Sequence, residues 1–262
     1  MIIRKLTEQD RETVLAYLAA EPAHVTFFVA DIRDYGFDDP RFHLWGLPAV
    51  EGHEPFEYIL CLFYGCVHIY SKSDSADIDA ICRFLDENEI DFKMIAGKEA
   101  IVSAFSQRIA FQTEHRCYLA ELRRENFVPH IDERVSVEWA TVKDAEEILQ
   151  LRANMPEFSD LMMPLEQLVD LLATGKGRVM NIRENDWIVS SATESCMGRI
   201  GYVCTDPAFR GRGYASVLVS NLSEVLLNEG IVPSLSYENP TAGSIYRRLG
   251  FREIGRTAVL SK

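Results

Sequence analysis

The chain has 262 residues, of which 47% are hydrophobic and 26% are charged, so a disordered protein and a coiled coil are both poor interpretations. Its formal net charge of −13 argues against nucleic acid as a partner, because an acidic surface repels phosphate groups. The sequence contains no apolar run of about 18 residues, the length that predicts a membrane span, so no membrane partner is expected. The six cysteines include no CxxC pair, which favours a reduced, cytoplasmic protein, and no HExxH or calcium-loop pattern predicts a metal site.

The first half begins with a predicted strand at 2–6, followed by a helix that Thr7 and Asp10 would cap. The chain continues through a helical stretch after Pro22 and a segment at 36–55 that glycine and proline interrupt. The remaining predicted elements of this half are strands at 56–63, 66–70, 91–96 and 115–122 and helices at 75–88 and 98–108.

A polar segment at 124–133 separates this half from a second one that opens in the same way. A strand is predicted at 135–140, and Thr141 and Asp144 stand at the next helix start, 134 residues after their counterparts. This offset predicts a duplicated unit, although a chance pattern and an unrelated α/β accessory domain remain alternatives. The elements predicted next are helices at 142–154, 164–173, 214–229 and 240–249 and strands at 178–183, 186–193, 199–205, 232–237 and 251–260.

Residues 202–215 carry the most informative pattern. An apolar strand ends at the turn Asp206-Pro207, and the residues Arg-Gly-Arg-Gly at 210–213 lead directly into an amphipathic helix. Glycines let the backbone approach a ligand closely, and the free N–H groups of the first helical turn attract anions. The arginines add positive charge, so this loop predicts a binding site for a pyrophosphate.

Several interpretations of this loop compete. A Walker loop is excluded because no lysine follows the glycines. A dinucleotide fingerprint fits loosely, since Ser216 takes its third small position and no acidic residue ends a second strand about 20 residues later. The pattern [RQ]-x-x-G-x-[GA] is filled by Arg210, Gly213 and Ala215, and a plain loop that only ends a strand is the remaining alternative.

A second pattern closes the chain at 237–251. Asn239 is a favourable helix N-cap, Pro240 suits the first helical position, and Gly250 would end the helix. Tyr246 lies on the apolar stripe of this helix, where most tyrosines serve only in packing.

Together, V-C-T-D-P-A-F-R-G-R-G-Y-A at 203–215 and N-P-x-A-x-x-x-Y-x-x-L-G-F at 239–251 resemble the GNAT (GCN5-related) N-acetyltransferase superfamily. The resemblance implies an α+β fold, a mixed sheet with flanking helices, and here two GNAT-like domains in tandem. The catalytic domain would be 134–262, and 1–128 would be a degenerate GNAT-like domain without a cofactor site. Residues 76–81, which correspond to the loop in the first half, hold no glycine and include two acids.

The resemblance also implies acetyl-CoA as the donor and direct transfer of its acetyl group to a primary amine. A small amine is favoured as acceptor over a protein N-terminus or lysine, because a fused non-catalytic half suggests an enclosed pocket. Tyr246 would be the general acid that protonates the leaving thiolate, and an N–H at Val203 or a neighbour would stabilise the oxyanion. Asn239 would contact the cofactor near its thioester. The resemblance further implies that the strand before the loop diverges from its neighbour and leaves backbone groups free for the cofactor. The other implied cofactor-binding residues are Val203, Cys204 and Thr205 for the pantetheine arm and Arg210, Gly211, Arg212, Gly213, Tyr214 and Ala215 for the pyrophosphate.

The general base stays open in the sequence. Glu194 and Glu238 are candidates, with a solvated hairpin carboxylate as the simpler interpretation of Glu194 and a water chain as a substitute for either. Cys204 invites covalent catalysis but is more simply a small residue of a buried strand. A non-catalytic acyl-CoA-binding sensor is the alternative function, and the oligomeric state stays open.

Overall fold

The computed structural model describes residues 2–50, 54–155, 158 and 163–262. It divides into two compact units, Met1–Leu119 with Gly255–Lys262 and Ala120–Ile254. Residues 51–53 of the interrupted segment predicted at 36–55 lie outside the described residues. The functional division into 1–128 and 134–262 stays a prediction.

Elements of the first unit follow the order strand, two helices, three strands, helix, strand, helix, strand. The strands are β1 (Arg4–Lys5), β2 (Phe42–Pro48), β3 (Phe56–Phe63), β4 (Cys66–Tyr70), β5 (Met94–Lys98) and β6 (Thr113–Glu121). The α-helices are α1 (Arg11–Leu18), α2 (Thr26–Tyr35), α3 (Ile78–Glu87) and the short α4 (Glu99–Val102), which continues as a 3₁₀ turn over Ser103–Gln107.

The elements from residue 138 onward repeat that order. The strands are β7 (Glu138–Trp139), β8 (Arg178–Glu184), β9 (Trp187–Cys196), β10 (Arg199–Thr205), β11 (Ser234–Tyr237) and β12 (Arg252–Ser261). The helices are α5 (Ala145–Ala153), α6 (Leu165–Thr174), α7 (Tyr214–Asn228) and α8 (Pro240–Leu249).

Matching capping boxes begin α1 and α5. The Thr7 N–H donates to Asp10 Oδ2 at 2.9 Å, and the Thr141 N–H donates to Asp144 Oδ2 at 2.7 Å. In both places a 3₁₀ turn precedes the helix, so the predicted helix starts and their 134-residue offset are confirmed. Each pair satisfies amide groups that a helix start otherwise leaves without a partner.

The two units differ in how their parallel strands pair. In the first unit β4 pairs with β5 over four residues, from Cys66 to Ile69, whereas in the second β10 pairs with β11 only at Arg199 and Ile200. Each of the strands β1, β2, β3 and β4 pairs antiparallel with the next one in the first unit. The strands β7, β8, β9 and β10 pair in the same way in the second unit. The predicted mixed α+β architecture is therefore confirmed.

Two predicted segments differ from the structure. The interrupted segment contains β2, where Gly46 lets the Phe56 ring approach to within 3.0 Å of the position that a Cβ would take. The last five residues of β12, Thr257–Ser261, pair antiparallel with β5 and belong to the first unit, although the sequence predicts this strand as part of the second half. Both features depend on partners distant in sequence, which local patterns do not reveal.

Two apolar clusters cover opposite faces of the second unit's sheet. Leu218, Leu222 and Leu226 of α7 join α8 in one cluster, while Ile148 and Leu168 of α5 and α6 join the other. Within the described ranges, no helix is both long and apolar enough to cross a membrane. The same ranges contain no group of three or more potential metal-ligating side chains of His, Cys, Asp or Glu.

Candidate functional site

The site starts from an irregularity in β10. Between Gly201 and Cys204 the register against β9 shifts by one residue, and Tyr202 has a φ of 49°. Such a bulge bends a strand and aims its groups away from the regular ladder. Because pairing with β11 ends at Ile200, the two strands diverge beyond this point, as the resemblance implies.

Hydrogen bonds then orient the end of β10. The Asp206 N–H donates to Val189 O of β9 at 2.8 Å. Since backbone groups alternate in direction along a strand, the amides of Thr205 and Val203 face the side on which β11 has diverged. Cys204 is buried, with its carbonyl accepting from Ser190 Oγ at 2.8 Å. The divergent side therefore offers a row of backbone groups to a ligand.

The loop after β10 is held by a side-chain hydrogen bond at its start and has free space beside its backbone further along. The carboxylate of Asp206 accepts from the Ala208 N–H at 2.8 Å, which fixes the turn around Pro207. Gly211 and Gly213 both have positive φ, at 81° and 83°. A Cβ on Gly211 would meet nothing within 4 Å, so the space in front of this backbone is open.

Gly213 is the N-cap of α7 and carries no side chain to satisfy the amides of the first turn. Those amides, from Tyr214 and Ala215 onward, are the groups that bind anions at helix starts. Tyr214 is itself buried, and its hydroxyl donates to Glu184. The helix start thus matches the predicted cradle in backbone conformation.

The two arginines of the loop hold different positions. The Arg210 Nε donates to Thr205 O at 3.1 Å, which ties the loop back to the end of β10. Arg212 is half-exposed, and its guanidinium carbon lies 4.8 Å from the centre of the Phe209 ring. Its Nη1 is 4.0 Å from Glu184, so its charge remains within reach of an anion at the loop.

His130 is a candidate that the sequence interpretation missed. Its Nε2 lies 3.6 Å from the position that a Cβ would take on Gly213, and its backbone N–H donates to Ser220 Oγ of α7 at 2.8 Å. It comes from the polar segment at 124–133, where nothing in the local sequence points to the loop. Only the fold brings this imidazole to the helix start.

On α8, Asn239 is the N-cap and its Oδ1 accepts from the Thr241 N–H at 2.8 Å, as predicted for a cap. Gly243 lies against the Tyr237 ring, where an added Cβ would approach the ring to 2.4 Å. Glycine is required there because any side chain would displace the ring. This contact sets the distance between α8 and the end of β11.

Tyr246 packs one helical turn further on, with its ring centre 5.5 Å from that of Tyr237 and 6.0 Å from that of Phe251. The ring is buried, and this burial, with Tyr237 contributing, raises the pKa of its hydroxyl above the ordinary value. Val203 of β10 packs against the same cluster. A protonated hydroxyl therefore belongs to the apolar cluster that borders the divergent strands.

The two candidate bases differ in their surroundings. Glu194 is only 4% exposed, so the solvated hairpin carboxylate is wrong. Its Oε1 accepts from the Gly198 N–H at 2.9 Å, and its Oε2 accepts from Arg178 Nε at 3.2 Å. These bonds hold the β9–β10 hairpin and occupy the carboxylate. Glu238 is exposed at the end of β11.

The corresponding place in the first unit is closed. The carboxylate of Asp77 caps α3 by accepting from the Ala80 N–H at 2.9 Å, which puts negative charge where a phosphate would bind. The strands β4 and β5 do not diverge, and a Cβ on Gly97 would meet Ile69 O at 2.4 Å. Both features differ from the open arrangement at β10 and α7, and the absence of a cofactor site from this unit stays a prediction.

Comparison with known proteins connects this geometry to a family. Residues 182–260 match the family model described as FR47-like protein. A solved Drosophila structure is 13% identical with a TM-score of 0.71, and the match covers 100% of this chain and 98% of that one. No curated protein matches the sequence.

Two further solved structures are similar over their whole length. A tandem GNAT protein from the clavulanic acid biosynthesis pathway has 14% identity and a TM-score of 0.59, with 99% of this chain and 97% of that chain covered. A GNAT-family acetyltransferase from Colwellia psychrerythraea has 12% identity and a TM-score of 0.58, with coverage of 100% and 99%. The predicted resemblance is therefore confirmed: the chain has the fold of two GNAT-like domains in tandem, and its residues 182–260 carry the FR47-like sequence pattern.

Proposed function

We propose that the protein is a cytoplasmic N-acetyltransferase that moves the acetyl group of acetyl-CoA to a primary amine, with its single active site in the second unit. The observation that carries the proposal is the divergence of β10 from β11 directly before an uncapped helix start. A pantetheine arm can add its hydrogen bonds to the divergent edge, and the diphosphate then reaches the amides at Gly213. The acetyltransferase of the GNAT family from Colwellia psychrerythraea and the tandem GNAT protein support this function through their shared fold.

In the proposed complex, Val203 and Thr205 pair with the pantetheine arm through their backbone groups. Cys204, implied as a third contact by the resemblance, does not take part, because its backbone groups face β9 and its carbonyl accepts from Ser190 Oγ. The loop from Arg210 to Ala215 binds the diphosphate, with the charge of Arg212 and the imidazole of His130 beside it. Asn239 contacts the cofactor near the thioester with the amide nitrogen that its capping role does not use. Acetyl-CoA supplies the activated acetyl group, and these residues fix its position.

The reaction forms a bond between the amine nitrogen and the acetyl carbon and breaks the bond between that carbon and sulfur. Alignment of two bound reactants can lower the barrier by about 7–11 kcal/mol. The Val203 N–H stabilises the oxyanion, and the Tyr246 hydroxyl gives its proton to the departing sulfur and regains one from solvent. A tyrosine hydroxyl is protonated at neutral pH at its ordinary pKa, and burial of Tyr246 raises this pKa further. The amine loses its proton to water or to Glu238.

A non-catalytic acyl-CoA sensor is the second candidate. The hydrogen bonds of Glu194 favour this candidate, because its carboxylate accepts from the Gly198 N–H and from Arg178 and therefore cannot serve as a free base. Binding would then occur without turnover. The two candidates share the cofactor site and differ only in chemistry.

Calorimetric titration with acetyl-CoA, with NAD as the control ligand, tests the shared site. We expect saturable binding of acetyl-CoA and none of NAD. Release of free thiol from acetyl-CoA in the presence of a panel of primary amines then separates the candidates. Turnover of any amine supports the transferase, binding without turnover across the panel supports the sensor, and binding of NAD instead of acetyl-CoA refutes both.

A further inference from the structure

A buried polar cluster that the proposed chemistry leaves unassigned lies on the α5 side of the second unit's sheet. Arg152 of α5 is fully buried, and its Nη2 donates to Thr193 Oγ1 of β9 at 2.5 Å. Within the described ranges, its Nε and Nη1 have no hydrogen-bond partner. These two atoms carry three of the five N–H donors of a guanidinium. Burial lowers the pKa of Arg152, and among the described residues no carboxylate forms an ion pair with this cation, as a buried charge normally requires.

Asn181 and Ser191 extend this cluster along the sheet. Both side chains are fully buried, and the Asn181 amide and the Ser191 hydroxyl have no hydrogen-bond partner among the described residues. The two residues lie directly opposite each other on β8 and β9. Ser191 is two residues from Thr193, so it faces the same side of the sheet, roughly 7 Å along the strand. A cation, an amide and a hydroxyl therefore share one buried face.

The cluster adjoins the irregular part of β10. The guanidinium carbon of Arg152 lies 4.5 Å from the centre of the Tyr202 ring, and Tyr202 is the bulge residue. Cys204, on the same strand, lies opposite Ser191. The proposed diphosphate site lies at the start of α7, which packs on the other face of the sheet. A donor on the α7 face and a second reactant on the α5 face would thus meet at the bulge.

We infer that Arg152, with Asn181 and Ser191, binds a carboxylate of the amine acceptor, which makes the acceptor an amino acid or a similar amino-carboxylic acid. This inference rests on the proposed transferase function. The planar fork of a guanidinium matches a carboxylate in geometry and charge, and amide and hydroxyl donors complete its shell. A carboxylate bound there neutralises the buried cation and holds the attached amine beside the bulge.

Pairs of acceptors that differ only in this group test the inference. Glycine is compared with glycinamide, alanine with alaninamide, and likewise through the standard amino acids, by thiol release from acetyl-CoA. We expect kcat/KM for the acids to exceed that for the amides by at least about 100-fold, because a buried polar site rejects analogues that leave it unpaired. The amides carry more neutral amine at a given pH, so the comparison is biased against this result.

Two variants tie the preference to the cluster. Arg152→Met keeps an unbranched side chain and removes the guanidinium with its charge, and we expect the ratio of acid to amide kcat/KM to fall toward one. Ser191→Ala removes one uncharged hydroxyl and should lower the ratio by a smaller factor even where Arg152→Met fails to fold. Calorimetric titration with CoA on the same samples shows whether each variant retains its folded donor site.

Equal turnover of acids and amides by the wild type, or an unchanged ratio in both variants, overturns the inference and leaves the proposed function intact. A second result also overturns the inference. If the enzyme uses succinyl-CoA with amides and shows no preference for acids with acetyl-CoA, the cluster binds a carboxylate of the acyl donor and not one of the acceptor. A failed CoA titration instead defeats the proposed function. In that case the acid and amide pairs are titrated by calorimetry without CoA. Equal affinities for the acid and its amide then refute a carboxylate site at Arg152.

Discussion

Replacement of Gly213 by glutamate is the sharpest test of the diphosphate site. Gly213 has a φ of 83°, and the nearest atom to its added Cβ is Nε2 of His130 at 3.6 Å, so the new side chain fits beside the loop. The left-handed backbone costs a non-glycine residue about 1–2 kcal/mol of stability. A carboxylate about 6 Å from a phosphate charge repels it by about 3 kcal/mol at an effective dielectric constant of about 20, which is roughly a 100-fold loss of affinity.

Gly230 supplies a matched control at the other end of α7. Its φ is 77°, and a Cβ there would meet nothing within 4 Å. Gly230→Glu therefore carries the same backbone strain and the same charge, remote from the loop. Both variants should lose about 2–8 °C in Tm, whereas only Gly213→Glu should weaken the binding of CoA in calorimetric titration.

Pantetheine, which lacks the diphosphate, completes the design. Its affinity should be similar in the wild type and in Gly213→Glu, because it reaches only the divergent edge of β10. An affinity for CoA that Gly213→Glu leaves within about threefold of the Gly230→Glu value would refute the assignment of the loop. Equal losses for CoA and pantetheine would show that the variant disturbs the strand rather than repelling phosphate.

Three further predictions concern chemistry and stability. Tyr246→Phe should lower kcat by about 10²–10⁴ in the thiol-release assay while the Kd for CoA changes little, as expected for a general acid; an unchanged kcat would make Tyr246 a packing residue. Gly243→Ala should lower the unfolding free energy in urea by about 1–3 kcal/mol, because its Cβ would lie 2.4 Å from the Tyr237 ring, and a neutral result would contradict this contact. Hydrogen bonding from Arg4 lowers the pKa of Asp10 to about 2, so this carboxylate contributes stability above its unfolded pKa of about 4. The stability difference between wild type and Asp10→Asn should therefore shrink as the pH falls from 4 toward 2, and a constant difference would contradict the linkage.

Local features of the fold could be predicted from the sequence alone. The capping boxes at Thr7 and Thr141 form as expected, and α8 has its predicted bounds of 240–249. The glycines at 211 and 213 adopt positive φ values, a conformation that glycine takes at no steric cost. These features depend on residues within a few positions of one another, so the local sequence is sufficient to specify them.

The character of the site was decided by contacts between distant segments. The sequence suggests that Glu194 is a solvated carboxylate of a hairpin, yet the folded chain buries it and Arg178 of the neighbouring strand donates a hydrogen bond to it. The approach of His130 to Gly213 and the burial of Arg152 over Tyr202 likewise have no local signal. The same holds for the divergence of β10 from β11, which the family resemblance implied but no pattern in β10 itself encodes. Strand pairing and side-chain burial are set by packing across the sheet, and that packing exists only once the chain has folded.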